Sequence, residues 1–486
     1  MDSAAMSQPQ AARLRSIARR AIATAALLSA LSSPARAETL LSALARAYAG
    51  NPDLNQSRAA VRVRDEDMPK ALSGMRPKAN IQAQAGPLHG NLRFPSFGGG
   101  QSAGGAGQRQ FFSQEYTGYP RGATLNMSQN VFDAGRTTNS VRQAESSVFA
   151  ARATMRLTEQ AILQNGATAY MNVLRDTAVV NLRKNNISVL EQQLKQTQDR
   201  FQVGEVTRTD VAQAEASVAQ ARSDLYAAQA QLKNSIANYR QIIGDEPRNL
   251  EPGRSLEPLL PRSLNEMIEV ALVEHPGVVS ALHQVDAAEL AVKVQESALA
   301  PTVAVNAQVS QQWDSFLGLP GTRQFTAQAY GQLNVPLYQG GAEYASIRQA
   351  KEQLGQARLN ADLQRDSVRA SVVSSYGLLE TAKASIISGQ AAVKAAETAL
   401  AGVREEAKVG QRTTLDVLNA QQALLNARVS LVISQRDRVV ASYAVLGSIG
   451  RLSAQELQLD VALYDPSIHY EQVKTKWIGV DTPDGR

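Results

Sequence analysis

The chain has 486 residues and no cysteine, and its 50 Lys and Arg outnumber its 44 Asp and Glu. Lack of cysteine excludes disulfides, thiolate metal sites and a lipidated N-terminal cysteine. The excess of positive charge lies mostly in residues 1–37, which hold five Arg and one Asp; the rest keeps about +6 − 4 = +2 and no dense basic block, which argues against a nucleic-acid partner.

Residues 1–37 read as a signal peptide. Arg13, Arg15, Arg19 and Arg20 precede the apolar run 21–31, and Ala35-Arg36-Ala37 ends it, placing cleavage before Glu38. Beyond this leader no apolar stretch reaches the roughly 18 residues that a spanning helix needs. Entry into a membrane would therefore require a closed β-barrel, the other fold that satisfies every backbone group in lipid.

The remainder is a duplication. Val203-Gly204-Glu205-Val206-Thr207-Arg208-Thr209-Asp210-Val211 returns 206 residues later as Val409-Gly410-Gln411-Arg412-Thr413-Thr414-Leu415-Asp416-Val417. Arg142-Gln143-Ala144 returns as Arg348-Gln349-Ala350. Upstream, Asn51-Pro52 and Arg76-Pro77 match His275-Pro276 and Ala300-Pro301 at an offset of 224. Self-similarity of this kind sets the architecture.

The first repeat, 38–263, is predicted to hold a helix over 39–76, strands at 78–86 and 121–132, a long helix over 137–203, a return helix over 208–244 and a segment 245–263. The second, 264–470, repeats the plan: a helix over 264–300, strands 302–313 and 323–338, a long helix 343–408, a return helix 412–450 and a segment 451–470, followed by a tail at 471–486. The helical assignments rest on stretches without proline, between Pro120 and Pro247 and between Pro336 and Pro466, rich in Ala, Gln, Leu and Arg. Heptad-like seams run along them: Val173, Val180, Ile187, Leu190, Leu194, Phe201 in one, and Val393, Ala396, Leu400, Val403, Ala407 in the other. Each long helix spans roughly 100 Å.

The strands alternate. Val303, Val305, Ala307 and Val309 interleave with polar residues, as do Phe325, Ala327, Ala329 and Leu333; Ala79, Ile81, Ala83, Ala85 and Ala123, Leu125, Met127, Val131 do the same in the first repeat. One apolar and one polar face fit a membrane barrel with a wet lumen. Four strands cannot enclose a channel, since about eight barely surround packed side chains, so several copies must share one barrel. The offsets differ by 224 − 206 = 18 residues, assigned to a flexible glycine-rich loop around Phe97 to Gly105, with Phe111, Phe112, Tyr116 and Tyr119 as interface or loop aromatics.

With these turns and the strand-to-helix junctions Val131-Phe132-Asp133-Ala134-Gly135 and Pro336-Leu337-Tyr338-Gln339-Gly340-Gly341, the chain resembles the TolC family of outer-membrane export ducts over about 39–460. The resemblance implies a mainly α fold with a membrane β-barrel: a homotrimer closing twelve strands in outer-membrane lipid and twelve helices as a periplasmic tunnel, with 245–263 and 451–470 as an equatorial belt. It implies export of proteins by type I secretion, of small molecules, or of both. The implied partners are a periplasmic adaptor at Val203, Gly204, Val409 and Gly410, and an inner-membrane ABC or proton-driven transporter. Thr209, Asp210, Arg412, Asp416 and Asn419 match gate positions, with polar links from Arg412 to the Thr209–Asp210 region holding the mouth closed. Ala407 stands where the family has a gating Tyr and Asn419 where it has a second Asp. Asp210 and Asp416 also fit plain helix capping.

No catalytic or cofactor pattern emerges. The four histidines, His89, His275, His283 and His469, lack metal-ligand spacing, and no phosphate-cradling loop or nucleophile elbow is present. A dedicated drug-efflux duct, or a structural coiled-coil protein of the periplasm or cell surface, are the competing readings.

Overall fold

The computed structural model describes residues 38–95, 111–315 and 320–483. The leader 1–37 and the glycine-rich run around Phe97 to Gly105 lie outside the described residues. Elements follow in order as α1 (Leu40–Gly50), α2 (Pro52–Asp65), α3 (Asp67–Leu72), β1 (Lys78–Ala85), β2 (Leu88–Pro95), β3 (Phe111–Gly118), β4 (Arg121–Phe132), α4 (Arg136–Gln202) and α5 (Arg208–Ile243). The second repeat continues as α6 (Leu264–Glu274), α7 (Pro276–Glu296), β5 (Thr302–Trp313), β6 (Arg323–Asn334), α8 (Ala342–Lys408), α9 (Thr414–Ile449) and α10 (Pro466–Val473).

The helices expected over 39–76 and 264–300 are each broken, and by the same device. Asn51 accepts from the backbone N–H of Asp53 at 2.9 Å and opens α2 ahead of Pro52. His275 accepts from Gly277 N–H at 3.1 Å and opens α7 ahead of Pro276. Proline cannot continue a helix whose carbonyl it would strike, but it fits the first helical position. Strand β6 stops at Asn334, short of the expected 338, because Pro336 cannot donate to a ladder. The boundary expected at 470 falls inside α10, whose Val473 is fully buried; Asp465 caps this helix by accepting from Ser467 N–H at 2.8 Å, ahead of Pro466.

The residues expected to form a loop between the first two strands instead carry the ladder onward. β2 pairs with β3 in a separate two-stranded ribbon, Leu88 opposite Gly118 through Pro95 opposite Phe111. The prolines at 87 and 120 interrupt both strands at one level and hid this continuation from pattern reading.

The main sheet has the order β1-β4-β5-β6, antiparallel throughout. Its register sorts side chains into rows. Ala79, Met127, Ala307 and Ala329 lie in one row, and Ile81, Leu125, Val309 and Ala327 in another. Asn80, Asn126, Gln308 and Gln328 form a row on the opposite face, where Gln328 donates to Gln308 at 2.7 Å. Both faces of this sheet are largely exposed.

The long helices make a wall one layer thick. α5 folds back along α4 and α9 along α8; α7 lies between α4 and α8, and α9 touches α4. Two cores hold the wall together at mid-height. One gathers Ala43, Ala47, Leu54, Ile162, Val173, Tyr239 and Ile243. The other gathers Met267, Ala271, Val278, Val368, Leu379, Val445 and Ile449. These are the same positions displaced by 224 (the first three) or 206, so the duplication extends to the packing. Toward the far ends of the helices the second seam is recovered as a cluster of Val393, Ala396, Leu400, Val403 and Ala407 with Val417 and Leu424. In the first seam Phe201 is an exception, being exposed.

The segments 245–263 and 451–465 wrap this middle. Glu257 accepts from Arg438 at 2.7 Å and from Ser255 at 2.9 Å, and pairs with Lys383 at 3.2 Å. The Arg438 hydrogen bond draws its carboxyl down to about 2 from an ordinary 4.5. A lowered folded pKa means stability that is complete above 4.5 and lost as pH falls toward 2. Glu257→Gln is therefore expected to cost about 1–2 kcal/mol at neutral pH. Thermal melts of both proteins should converge as the pH drops through that window.

Candidate functional site

The two helical hairpins end in turns built from the same parts. After α4, Val203 is the C-cap and Gly204 adopts φ +78°, a left-handed conformation that costs a residue with a Cβ about 1 kcal/mol. Gly204 N–H donates to Phe201 O at 3.0 Å and Glu205 N–H to Arg200 O at 2.9 Å. These two reversed bonds satisfy the last carbonyls of the helix. After α8, Gly410 has the same φ of +78°, with Gly410 N–H to Ala407 O at 3.3 Å and Gln411 N–H to Glu406 O at 2.9 Å.

Helix restarts through a capping box in both turns. Thr207 Oγ1 accepts from Asp210 N–H at 3.3 Å, while Asp210 Oδ2 accepts from Thr207 N–H at 2.9 Å and from its hydroxyl at 2.6 Å. Thr413 and Asp416 repeat the arrangement at 3.3, 3.0 and 2.9 Å. Both aspartates thus satisfy N–H groups that the first helical turn leaves open. The bonds from Thr207 hold Asp210 below the usual carboxylate range, and those from Thr413 do the same for Asp416. One ionised carboxylate therefore sits at the turn of each hairpin.

Each turn also carries an ion pair, of opposite polarity in the two repeats. Arg200 Nε meets Glu205 at 2.9 Å, whereas Arg412 Nε meets Glu406 at 2.8 Å. Arg412 is thus engaged by its own turn, with Asp416 adding to its positive stabilisation. A link from Arg412 to the Thr209–Asp210 region has to be made at the expense of Glu406. Thr209 and Asn419 are exposed, Thr209 beside Asp210 and Asn419 three residues beyond Asp416 on the same helical stripe. At the apex Val203 and Val409 are 72% and 70% exposed. An apolar side chain so placed at both turns offers a contact surface at the tip.

Sequence reading did not single out the pairs that brace these hairpins. Arg222 meets Glu191 and Arg428 meets Glu397, each at 2.7 Å. Both residues of the first pair recur 206 positions on, a signal the repeat itself held. A cavity of about 570 Å³ lies elsewhere, between α4, α7 and the 450–467 segment, lined among others by Arg152, Glu159, His283 and Tyr464. None of the turn residues contributes to it.

The outer membrane efflux protein profile matches residues 43–245 and 267–451. The chain is 41% identical over 452 residues to the outer membrane efflux protein BepC of Brucella suis, covering 93% of this chain and 94% of that one. It is 26% identical to the outer membrane protein TolC of Escherichia coli, covering 90% and 88%. In fold it is similar to the CmeC outer membrane channel of Campylobacter jejuni, with a TM-score of 0.72 and 17% identity over 90% of this chain and 89% of that one.

The caps yield a local expectation. Thr413→Ala should weaken its turn by about 1 kcal/mol, speeding amide exchange at residues 413–416 about fivefold while the global melt barely moves. Hydrogen exchange read by mass spectrometry checks it, with Thr207→Ala as the matching change in the other repeat.

Proposed function

The chain belongs to the outer membrane efflux protein family, and on that premise we propose that three copies close one passive duct through the outer membrane and periplasm. The observation that carries this is the four-stranded sheet, with β1 and β6 unpaired at its edges and its two faces sorted by register into apolar and polar rows. From the Val303 row to the Trp313 row is about 34 Å along the strand, which at a tilt of about 40° rises about 26 Å and suits an apolar membrane band about 25 Å tall. Three sheets joined edge to edge give twelve strands with the amide row facing a wet lumen. The helix wall continues the cylinder, its flank on α8 left open with Leu359, Leu363 and Ile387 exposed.

A polar lumen selects little, so the cargo, proteins by type I secretion or small molecules, is chosen by an inner-membrane ABC or proton-driven transporter. A periplasmic adaptor docks on the tips, with Val203, Gly204, Val409 and Gly410 as its contacts. Asp416 from three copies forms a carboxylate ring, with Asp210 and Thr209 beside it and Asn419 one turn along. Carboxylates converging in a narrow mouth focus negative potential and favour cations. Arg412 acts as the latch: exchange of Glu406 for the Thr209–Asp210 region of a neighbour closes the mouth. Exposed pairs of this kind are worth about 0–1 kcal/mol each, so a docking partner can open it.

Planar-bilayer recordings test the reading. The protein should conduct with a preference for cations. Asp416→Asn keeps an oxygen that can cap Thr413 N–H but removes the charge, and should lower the cation-to-anion permeability ratio severalfold; an unchanged ratio removes the ring. Because Thr413 holds Asp416 below its ordinary pKa of 3.8, the preference should persist as pH falls to that value and fade only beneath it. Absence of any conducting pore, even with Arg412→Ser, overturns the duct.

A further inference from the structure

The C-terminal end of the described chain leaves three apolar side chains uncovered: Trp477, Ile478 and Val480 are 65%, 90% and 96% exposed. Their position is firmly set. Immediately before them α10 is locked onto α2 and α4: His469 Nδ1 lies 2.9 Å from the buried carboxylate of Asp65, Arg152 donates to Pro466 O at 3.3 Å, and Val473 is fully buried. Arg76 then clamps the segment, donating to Lys476 O at 2.8 Å and to Thr475 O at 3.4 Å, with its guanidinium 4.7 Å from the centre of the Trp477 ring.

Arg76 stands two residues before β1 begins at Lys78. The link it belongs to is held level with the last residues of β4, since Gln129 donates to Met75 O at 3.3 Å and Asn130 to Gly74 O at 3.1 Å. Trp477 is therefore placed at the helical-domain end of the sheet, the end at which the row of Phe132, Val303 and Leu333 lies. Arg76 lies over its ring; Lys474 and Lys476 flank it in the chain, Lys474 pairing with Glu471 and Lys476 donating to Asp481 O, and Lys78 opens β1 two residues after Arg76. Trp at the level of headgroups, aliphatic residues just inside and Lys or Arg toward phosphate is the arrangement by which a segment lies in a membrane interface. The polar lumen at the same level offers Ile478 and Val480 no such cover.

Resting on the barrel reading above, we propose that residues 474–480 form a foot seated in the periplasmic leaflet, with Trp477, Ile478 and Val480 entering the boundary between headgroups and acyl chains and Arg76, Lys78 and Lys476 facing phospholipid phosphates. This foot fixes the helical domain against the membrane plane at three points around the duct.

The chain's two tryptophans allow a direct test. Trp313 shares the apolar face of β5 with Val309, at the opposite end of the sheet. Trp313→Phe leaves Trp477 as sole fluorophore, and Trp477→Phe leaves Trp313. Each full-length variant is reconstituted in phosphatidylethanolamine–phosphatidylglycerol vesicles, with lipids brominated near the glycerol or near the methyl end of the acyl chains. Trp477 emission should be quenched roughly twofold or more by the glycerol-end lipid, less by the methyl-end lipid, and poorly by aqueous iodide. Quenching of Trp313 with none of Trp477 overturns the foot and leaves the barrel standing. Trp477 then quenched by iodide marks it as free in water, and shielded from both quenchers marks it as covered by a neighbouring copy. Lack of lipid quenching at both tryptophans overturns the foot and the barrel together.

Discussion

An open sheet edge is a row of N–H and C=O groups without partners, and hydrocarbon supplies none. That constraint governs this molecule. β1 and β6 each leave one such row, and both faces of the sheet they bound are uncovered. The protomer is therefore an incomplete object in a membrane. Identical copies remove the edges, and the same closure gives the one-layer helix wall its missing flanks.

The duplication makes this closure possible with a short repertoire of parts. Two cores built from corresponding residues pin the wall at mid-height, so each copy supplies two near-equivalent staves. Where the repeats differ, the differences are local. Glu38 is one: its carboxylate receives the Tyr239 hydroxyl and the Arg46 guanidinium, and its backbone bonds with Asn249 and Glu251. Tyr170 shares its hydroxyl proton between the carbonyl oxygens of Glu38 and Glu251, each at 2.7 Å. This knot ties Glu38 to the 245–263 segment, and at the matching position 224 residues on the second repeat has Arg262 in place of a carboxylate.

At the turns, stability and electrostatics share the same atoms. Thr207–Asp210 and Thr413–Asp416 close helix ends, and the hydrogen bonds that do so keep both carboxylates ionised. Exchange of either carboxylate for an apolar residue removes a helix cap, at a cost of about 1 kcal/mol, together with the charge. The charge at the turns thus comes with the helix caps themselves.

What was legible in the sequence was whatever depends on neighbours a few residues away. Proline-free, alanine-rich stretches made the long helices, alternation assigned the strand faces, and Gly204, Gly410 and the Thr-x-x-Asp spacing marked the turns, because caps and periodicity act within about one helical turn. Tertiary structure decided the choices among several near-equal partners. Arg412 took Glu406 over more distant acceptors, Phe201 was left exposed at the end of an otherwise buried seam, and α7 settled between α4 and α8. The β2–β3 ribbon and the attachment of Trp477 to Arg76 likewise join residues 16 to 401 positions apart. An exposed pair such as Arg412–Glu406 differs from its alternatives by about 1 kcal/mol or less, and no local pattern in the chain records which distant partners the assembled backbone will bring within reach.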